Sequence, residues 1–188
     1  MFKEMFESAV HIGHRTQKWN PRMKKFLYGE RDGIHIINLE KTAEYLESAV
    51  AFLSKMASEG KVVLFVSTKP QSLKLLEETA SQISMPFVTS RWIPGLLTNF
   101  KTIKMRVKYL ADLKDQKENG EFDKFTKKEA SSLDKTIVKL GASLGGVQNL
   151  SDLPDCVFVV DVVRDQIAVK EAKRLGLPVV GILDSNSD

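Results

Sequence analysis

The stretch Val62-Val63-Leu64-Phe65-Val66-Ser67-Thr68 decides the fold. Five consecutive apolar residues, three of them β-branched, are typical of a strand buried on both faces of a parallel sheet. Similar apolar runs follow at residues 157–160 and 179–183. Because helical patterns separate these runs, we predict parallel strands joined by right-handed crossovers.

Amphipathic helices are predicted between the strands. The helix after the short apolar run at residues 34–37 carries apolar side chains at steps of four and three. These side chains are Leu39, Ala43, Leu46, Val50, Leu53 and Ala57. Further helices are predicted from Pro70 to Ile83 and from Ile167 to Leu175. The pattern predicts a doubly wound α/β body, flavodoxin-like or Rossmann-like, with a mostly parallel sheet.

Residues 98–144 interrupt this body with a different pattern. Their apolar residues form a narrow seam of two positions in seven, as in a coiled coil. The seam consists of Phe100, Ile103, Val107 and Leu110, then Leu133, Ile137, Leu140 and Leu144. Asn119-Gly120 marks a turn between the halves, and Thr126-Lys127-Lys128-Glu129 has capping-box spacing. We predict an inserted antiparallel helical hairpin that protrudes from a body of residues 1–97 and 145–188.

Glycines and a proline punctuate the two segments that flank these elements. Gly13, Asn20-Pro21 and Gly29 predict an irregular, basic segment over residues 1–33. Gly145-Gly146 is expected to end the hairpin as a flexible joint.

Positive charge is concentrated in two blocks, although the net charge of the chain is only +4. Residues 1–41 hold 8 basic and 5 acidic side chains, and residues 91–141 hold 12 and 7. Residues 151–188, with 4 basic and 7 acidic side chains, are acidic. Clustered Lys and Arg favour binding to a polyanion because they displace counterions from phosphates. A solvated basic surface is the alternative interpretation.

The composition argues against a membrane span and against a disulfide. No run of 18 apolar residues occurs. Glu4 and Glu7 near the N-terminus do not fit a secretory signal or a transit peptide, so we expect a cytoplasmic protein. Cys156 is the only cysteine, and its apolar neighbours predict a buried core residue.

The phosphate-binding loops of nucleotide enzymes are missing from the sequence. The turn after the first buried strand, Ser67-Thr68-Lys69-Pro70-Gln71, contains no glycine. Neither a P-loop nor a nucleophile elbow occurs. A nucleotide- or flavin-binding enzyme with an inserted arm therefore stays an alternative on fold alone. We expect neither catalytic residues nor a cofactor.

A metal-binding regulator is a third hypothesis. His11 and His14 are three residues apart, and Asp184 or Asp188 would have to complete the ligand set. We favour structural hydrogen bonding or phosphate contact for these histidines, and we expect no metal.

Two segments combine positive charge with a tryptophan. The first runs over residues 15–26 and contains Trp19, and the second is Ser90-Arg91-Trp92-Ile93-Pro94-Gly95-Leu96-Leu97-Thr98-Asn99. Cationic side chains bind phosphates, and tryptophan packs on sugars or bases. Trp92, flanked by apolar residues, is alternatively a core anchor at a domain joint.

The outer faces of the predicted hairpin are basic as well. They carry Lys101, Lys104, Arg106, Lys108, Lys127, Lys128, Lys135 and Lys139. A basic two-helix arm suits contact with RNA or protein, and a lid or a solvated insertion is the alternative.

Motif blocks occur in order along nearly the whole chain. They are Gly-His at 13–14, Trp-Asn-Pro-Arg-Met at 19–23, Ile-His-Ile-Ile-Asn-Leu-Glu-Lys-Thr at 34–42, Arg-Trp-Ile-Pro-Gly-Leu-Leu-Thr-Asn at 91–99, Phe-Asp-Lys-Phe-Thr-Lys-Lys-Glu at 122–129, Leu-Gly-Gly at 144–146, Leu-Pro-Asp at 153–155, Ile-Ala-Val-Lys-Glu-Ala at 167–172 and Asp-Ser-Asn-Ser-Asp at 184–188. Together they closely resemble the bacterial family of the second protein of the small ribosomal subunit.

This resemblance implies a structural ribosomal protein and no enzyme. It implies an α/β body with a protruding hairpin, seated where the head of the small subunit meets its body. The implied partners are small-subunit rRNA and neighbouring ribosomal proteins, including the large repeat-built one that captures mRNA, with no membrane and no small-molecule substrate. By match to the family blocks and by charge, we predict rRNA contacts at Arg15, Lys18, Trp19, Arg22, Lys24, Lys25, Arg91, Trp92, Asn99, Lys101, Lys104, Lys108, Lys127 and Lys128.

The family pattern continues beyond the block at residues 184–188 into a further strand and a closing helix. Without such a strand, the sheet edge beside residues 179–183 would be unpaired and would expose backbone donors and acceptors.

Overall fold

The structure, a computed structural model, describes residues 1–187. The strands within that range are β1 Ile12–Arg15, β2 Leu27–Arg31, β3 Ile34–Ile37, β4 Val63–Val66, β5 Phe87–Val88, β6 Cys156–Val159 and β7 Val179–Gly181. The α-helices are α1 Phe2–Glu7, α2 Leu39–Ser58, α3 Leu73–Gln82, α4 Phe100–Glu118, α5 Lys127–Leu144 and α6 Gln166–Arg174. None of these helices combines the length and the apolar composition that a bilayer span requires.

Four parallel strands form the main sheet in the order β5-β4-β6-β7. The register pairs Val63 with Cys156 and Val157 with Val179. Numbered along the chain, this strand order is 2-1-3-4, which is the beginning of the flavodoxin-like order. The predicted doubly wound α/β class is therefore confirmed.

Side chains of β4 and β6 alternate between the two faces of the sheet. Val63 and Cys156 point to one face and pack with α2. Leu64 and Val157 point to the other face and pack with α6. Because helices cover both faces, every residue of these strands is apolar, and the thiol of Cys156 is buried as predicted.

The prediction of an irregular segment over residues 1–33 is wrong. β1 and β2 flank β3 in a second, antiparallel sheet, so the strand at 34–37 does not join the parallel one. Asp32 and Gly33 connect β2 to β3 with φ of 52° and 73°. Two positive φ values are typical of the type I′ turn, whose twist matches that of a hairpin. The dipeptide Asp32-Gly33 is the sequence signal of this hairpin, and the prediction for residues 1–33 did not use it.

The two helices of the hairpin, α4 and α5, pack against each other. Leu110 of the predicted seam is fully buried. Near the end of α4, the Lys117 ammonium lies 2.9 Å from a carboxylate oxygen of Asp134 on α5. At the opposite end, Ile103 and Leu144 belong to the apolar core that covers the sheet. The root of the hairpin is thus continuous with the body.

The N-terminus of α5 has the predicted capping box. The Thr126 hydroxyl accepts a hydrogen bond from the N–H of Glu129 at 3.4 Å. The carboxylate of Glu129 accepts in return from the N–H of Thr126 at 3.0 Å. Two backbone donors that α5 cannot satisfy internally are therefore paired, which sets the start of the helix.

The joint after α5 is packed, and the expectation of a flexible joint is wrong. Gly145–Val147 form a 3₁₀ turn against β5. A Cβ on Gly146 would lie 2.2 Å from the carbonyl oxygen of Phe87 and 2.7 Å from its ring. Glycine is needed there because the backbone of the turn approaches β5 too closely for a side chain.

Replacing Gly146 with alanine is expected to destabilise the protein by about 1–3 kcal/mol, because the turn or β5 must shift to relieve the overlap. Gly141, inside α5, has open space where its Cβ would lie. Gly141→Ala should therefore be neutral or stabilise by up to about 1 kcal/mol through helix propensity. Urea denaturation of both variants measures the difference, and equal losses of stability would contradict the packed joint.

Candidate nucleic-acid interface

The second tryptophan segment folds around a buried carboxylate. Glu171 of α6 is 8% exposed and accepts five hydrogen bonds. The donors are the indole Nε1–H of Trp92 at 3.0 Å, the backbone N–H groups of Gly95 at 2.7 Å, Leu97 at 3.0 Å and Thr98 at 3.1 Å, and the hydroxyl of Thr98 at 3.1 Å. Because the ionised carboxylate needs donors on both oxygens, it holds the loop before α4 in one shape.

The charge of Glu171 depends on these donors. Burial alone would raise the pKa of this carboxyl, but the hydrogen bonds from Trp92 and from the loop N–H groups outweigh burial. The pKa of Glu171 therefore lies below its usual value of 4.5, and the group is an anion at neutral pH.

Trp92 is a core residue, which corrects its assignment to RNA contact. Its side chain is 4% exposed, packs in the main core and donates its only N–H to Glu171. A buried ring whose donor is already used cannot stack on a base. The alternative interpretation, a core anchor at a domain joint, is the one that agrees with the structure.

Sequence reasoning missed Glu171 itself, although a signal was present. Ala168 and Ala172 are fully buried on the inner face of α6. Glu171 follows Ala168 by three positions and precedes Ala172, so it lies on that same face. A charged residue at an apolar helical position indicates a buried partner set, because an unpaired buried charge is costly.

The two ends of this loop are exposed. Arg91 precedes Trp92 and makes no hydrogen bond or ion pair with any other residue in the range 1–187. Asn99 precedes α4, and its side-chain oxygen accepts from the hydroxyl of Thr102 at 2.9 Å. The loop thus presents one free guanidinium and one amide beside the root of the hairpin.

Three predicted lysines share one face of α4. Lys101, Lys104 and Lys108 are spaced i, i+3 and i+7 and are all exposed. Lys104 donates from its ammonium to the carbonyl oxygen of Ser151 at 2.7 Å. The side chains of Lys101 and Lys108 make no hydrogen bond or ion pair with the described part of the chain. Their ammonium groups are therefore free to bind an external anion.

The remaining hairpin lysines form a second group. Lys127 and Lys128 are exposed in the first turn of α5, next to the turn that joins the helices. With a rise of about 1.5 Å per residue, α4 is roughly 28 Å long. The predicted rRNA contacts on the hairpin therefore include lysines near its root, such as Lys101, and lysines close to its tip, Lys127 and Lys128.

The first basic segment surrounds a small cavity on the antiparallel sheet. Trp19 is half-buried, with its ring centroid 4.6 Å from that of His35. Together with Lys24 and Tyr28, these rings line a cavity of about 300 Å³. The other residues that were predicted as contacts in this segment are exposed: Arg15, Lys18, Arg22 and Lys25. Trp19 therefore presents only part of its ring to a partner.

The two histidines considered as metal ligands have separate partners. His11 stacks on Phe6 with ring centroids 4.4 Å apart. His14 instead places Nδ1 3.2 Å from a carboxylate oxygen of Asp184. Asp188 lies outside the described residues. Within residues 1–187, no three His, Cys, Asp or Glu side chains are grouped as metal ligands.

Ser185 ties the N-terminal segment to the end of the parallel sheet. Its buried hydroxyl accepts from the N–H of His14 at 2.7 Å, and its carbonyl accepts from the N–H of Asn20 at 2.8 Å. A Cβ on Gly13 would lie 2.8 Å from the Ser185 hydroxyl oxygen. The Gly-His block and the Asp-Ser-Asn-Ser block are thus in direct contact and form one joint.

A polar crevice lies at the carboxyl ends of the parallel strands. Its volume is about 430 Å³. The lining residues follow β4, β5 and β6 and include Thr68, Ser90, Arg91, Arg164 and Asp165. In doubly wound sheets ligands bind at this edge, where the strand order reverses. No glycine occurs among the residues that line it, unlike the phosphate loops of nucleotide enzymes.

Comparison with known proteins assigns this architecture to one family. The family model described as Ribosomal protein S2 matches residues 5–188. The chain belongs to the ribosomal protein S2 family. Proteins named small ribosomal subunit protein uS2 from Hahella chejuensis, Campylobacter hominis and Koribacter versatilis are 45%, 47% and 46% identical to it. Each match spans 99% of this chain and 74%, 70% and 62% of the respective relative.

Membership in the S2 family makes the chain a ribosomal protein of the small subunit and not an enzyme. The enzyme hypothesis based on the α/β fold is therefore excluded. Two family blocks, residues 91–99 and 184–188, contain the partners of Glu171 and the joint at Ser185. In this S2-family chain, these blocks act first as structural joints.

Glu171→Gln is expected to destabilise this S2-family protein by at least about 2 kcal/mol, because the amide turns an N–H group toward buried donors. Glu118→Gln, an exposed site on α4, is the matched control. Since the pKa of Glu171 is lowered on folding, its stabilisation is present above pH 4.5 and is lost as the pH falls through the folded pKa. Urea denaturation from pH 7 to pH 3 should show that the stabilities of the wild-type protein and of the Glu171→Gln variant converge in acid. A constant difference in stability across this range would contradict the role of the charge.

Proposed function

We propose that the chain binds small-subunit rRNA through exposed basic side chains and acts as a structural constituent of the small subunit in the cytoplasm. The observation that carries the proposal is the basic face of α4, where the ammonium groups of Lys101 and Lys108 have no hydrogen-bond or ion-pair partner within residues 1–187. The proposed contacts are Arg15, Lys18, Trp19, Arg22, Lys24, Lys25, Arg91, Asn99, Lys101, Lys104, Lys108, Lys127 and Lys128.

The arrangement suits a phosphate backbone better than a small ligand. Unpaired ammonium groups on a helix face release counterions when phosphates replace them, and this release drives binding without reading bases. The basic groups at the root and tip of the hairpin are separated by a length comparable with α4, which suits an extended polyanion. A solvated insertion would need no such alignment. The seat at the junction of head and body is proposed from the family resemblance.

Reversing two of these charges, Lys101→Glu with Lys108→Glu, is expected to weaken binding to small-subunit rRNA at least about tenfold. The slope of log affinity against log salt should become shallower by about 1–2, since two phosphate contacts are lost. Filter binding of purified rRNA over a salt series measures both quantities. The control reverses Lys74 and Lys173, exposed lysines on α3 and α6 outside the proposed surface. Affinity and salt slope equal to those of the control would remove the proposal.

We further propose that the N-terminal half of the chain helps to recruit the large repeat-built ribosomal protein that captures mRNA. This partner comes from the family resemblance, and an exposed aromatic surface supports a protein contact there. Tyr28 is 82% exposed beside the cavity of Trp19 and His35. Phe6 is 63% exposed on α1 and Tyr45 58% exposed on α2. Aromatic side chains exposed beside a cavity are typical of interface anchors.

Tyr28→Ala should weaken the affinity of this partner for the small subunit at least about tenfold, as expected for a central aromatic anchor. Less of the partner should therefore be retained on small subunits. The protein should still join the small subunit, because this variant leaves Lys101, Lys108 and the other proposed rRNA contacts unchanged. Quantitative mass spectrometry of gradient-purified small subunits measures both proteins. Tyr109→Ala, at an exposed tyrosine of the hairpin, is the matched control. Full retention of the partner with Tyr28→Ala would contradict the proposed contact.

A further inference from the structure

The polar crevice at the carboxyl ends of β4, β5 and β6 has free donors and occupied acceptors. Both carboxylate oxygens of Asp165 accept from Thr68, one from its N–H at 3.0 Å and one from its hydroxyl at 2.9 Å. Asp161, beside the crevice, accepts from the N–H groups of Val163 and Arg164 at 3.2 Å and 2.9 Å. The acidic groups near the crevice are therefore engaged inside the protein.

The cationic groups of the crevice are available. Arg91 is exposed and makes no hydrogen bond or ion pair in the range 1–187. The guanidinium of Arg164, also exposed, makes one hydrogen bond, from its Nε–H to the Thr68 hydroxyl at 2.9 Å. That bond holds the guanidinium of Arg164 at the rim and leaves its terminal N–H groups unbound among the described residues. Arg91 follows β5 and Arg164 follows β6, so the two side chains line the same crevice from the strands on either side of β4.

Ser90 adds a polar group without a partner. It lines the crevice, and its hydroxyl oxygen is buried with no hydrogen-bond partner among residues 1–187. A buried hydroxyl gains stability when an acceptor comes within reach. Ser90 is therefore a third polar group of the crevice, beside the guanidiniums of Arg91 and Arg164, that is available to a ligand.

We propose that this crevice binds a phosphate group. Guanidinium groups recognise phosphate oxygens through paired N–H donors, and two of them with hydroxyls nearby match a tetrahedral anion. The volume of about 430 Å³ lies within the usual range for a small-ligand site. The glycine loop of dinucleotide sites is absent from the lining residues, so the specificity is for the phosphate and not for a dinucleotide cofactor.

This site goes beyond rRNA binding by the hairpin and is independent of it. Arg91, which the match to the family blocks and its charge assign to the rRNA surface, also lines the crevice. The phosphate has two possible sources, a free phosphate or nucleotide and the backbone of an RNA strand. Both present the same anion to Arg91 and Arg164, and the probes below distinguish them.

The experiment follows backbone amide signals of the ¹⁵N-labelled full chain during titration with three probes. The probes are inorganic phosphate, adenosine 5′-monophosphate and a single-stranded RNA hexamer without terminal phosphates. We expect saturable shifts at Thr68, Ser90 and Arg164. Arg91→Ala combined with Arg164→Ala should weaken this binding at least about tenfold, because each guanidinium supplies charge-assisted hydrogen bonds.

Two controls separate this site from the others. Arg174→Ala removes an exposed arginine at the opposite end of α6 and should leave the affinity unchanged. The variant with Lys101→Glu and Lys108→Glu should also keep the crevice shifts, so failure of the rRNA proposal would not affect them. Folding of each variant is checked from the dispersion of its amide spectrum.

Each outcome decides the proposal. Shifts with phosphate or the nucleotide that weaken in the double arginine variant support a site for a free phosphate compound. Shifts with the RNA hexamer alone, weakened in the same way, support a site for a backbone phosphate. Absence of shifts at these amides with all three probes, or equal affinity of wild type and the double arginine variant, overturns the proposal.

Discussion

The buried carboxylate of Glu171 is the constraint on which the arrangement of body and hairpin depends. An anion that is 8% exposed is tolerated only when donors satisfy it, and the loop from Trp92 to Thr98 supplies five of them. The loop wraps around the carboxylate because the alternative is an unpaired charge in the core. α4 begins directly after this loop, so the position of its lysines follows from the same interaction. Removing the charge would loosen the root of the hairpin before it affected the sheet.

A second, smaller joint lies at Ser185, where a buried acceptor again binds backbone donors of a distant segment. Its buried hydroxyl and its carbonyl accept from the backbone of His14 and Asn20. Gly13 is needed because any side chain there would overlap with this serine. The antiparallel sheet is thereby fastened to the end of β7. In both joints, the residues that carry the resemblance to the S2 family hold segments together, whereas the free cationic groups lie on exposed helix faces and crevice rims.

Local pattern predicted most of the elements. The continuous apolar run of β4, the steps of four and three in α2, and the capping box at Thr126 each correspond to an element of the structure, because hydrophobic periodicity and caps act over a few residues. The antiparallel hairpin of β2 and β3 was missed even though Asp32-Gly33 is a local signal. The exposed lysines of α4 were predictable as surface, since polar residues opposite an apolar seam face solvent. The burial of Trp92 was not predictable, because an aromatic residue beside arginine is equally consistent with a core anchor and with stacking on a base.

The sequence by itself therefore determined the α/β class, the hairpin, the family and the two blocks of positive charge. These depend on periodicity, caps and composition, which each segment carries alone. Only the tertiary structure decided which polar groups are free. Glu171 and Trp92 are 79 positions apart, and Asp165 and Thr68 are 97 apart, so their pairing is invisible in either segment. The physical reason is that burial and hydrogen bonding are properties of the surroundings of a side chain. When the fold brings donors to a charged group, that group holds segments of the chain together. When the fold brings no partner to it, the group remains available to bind another molecule.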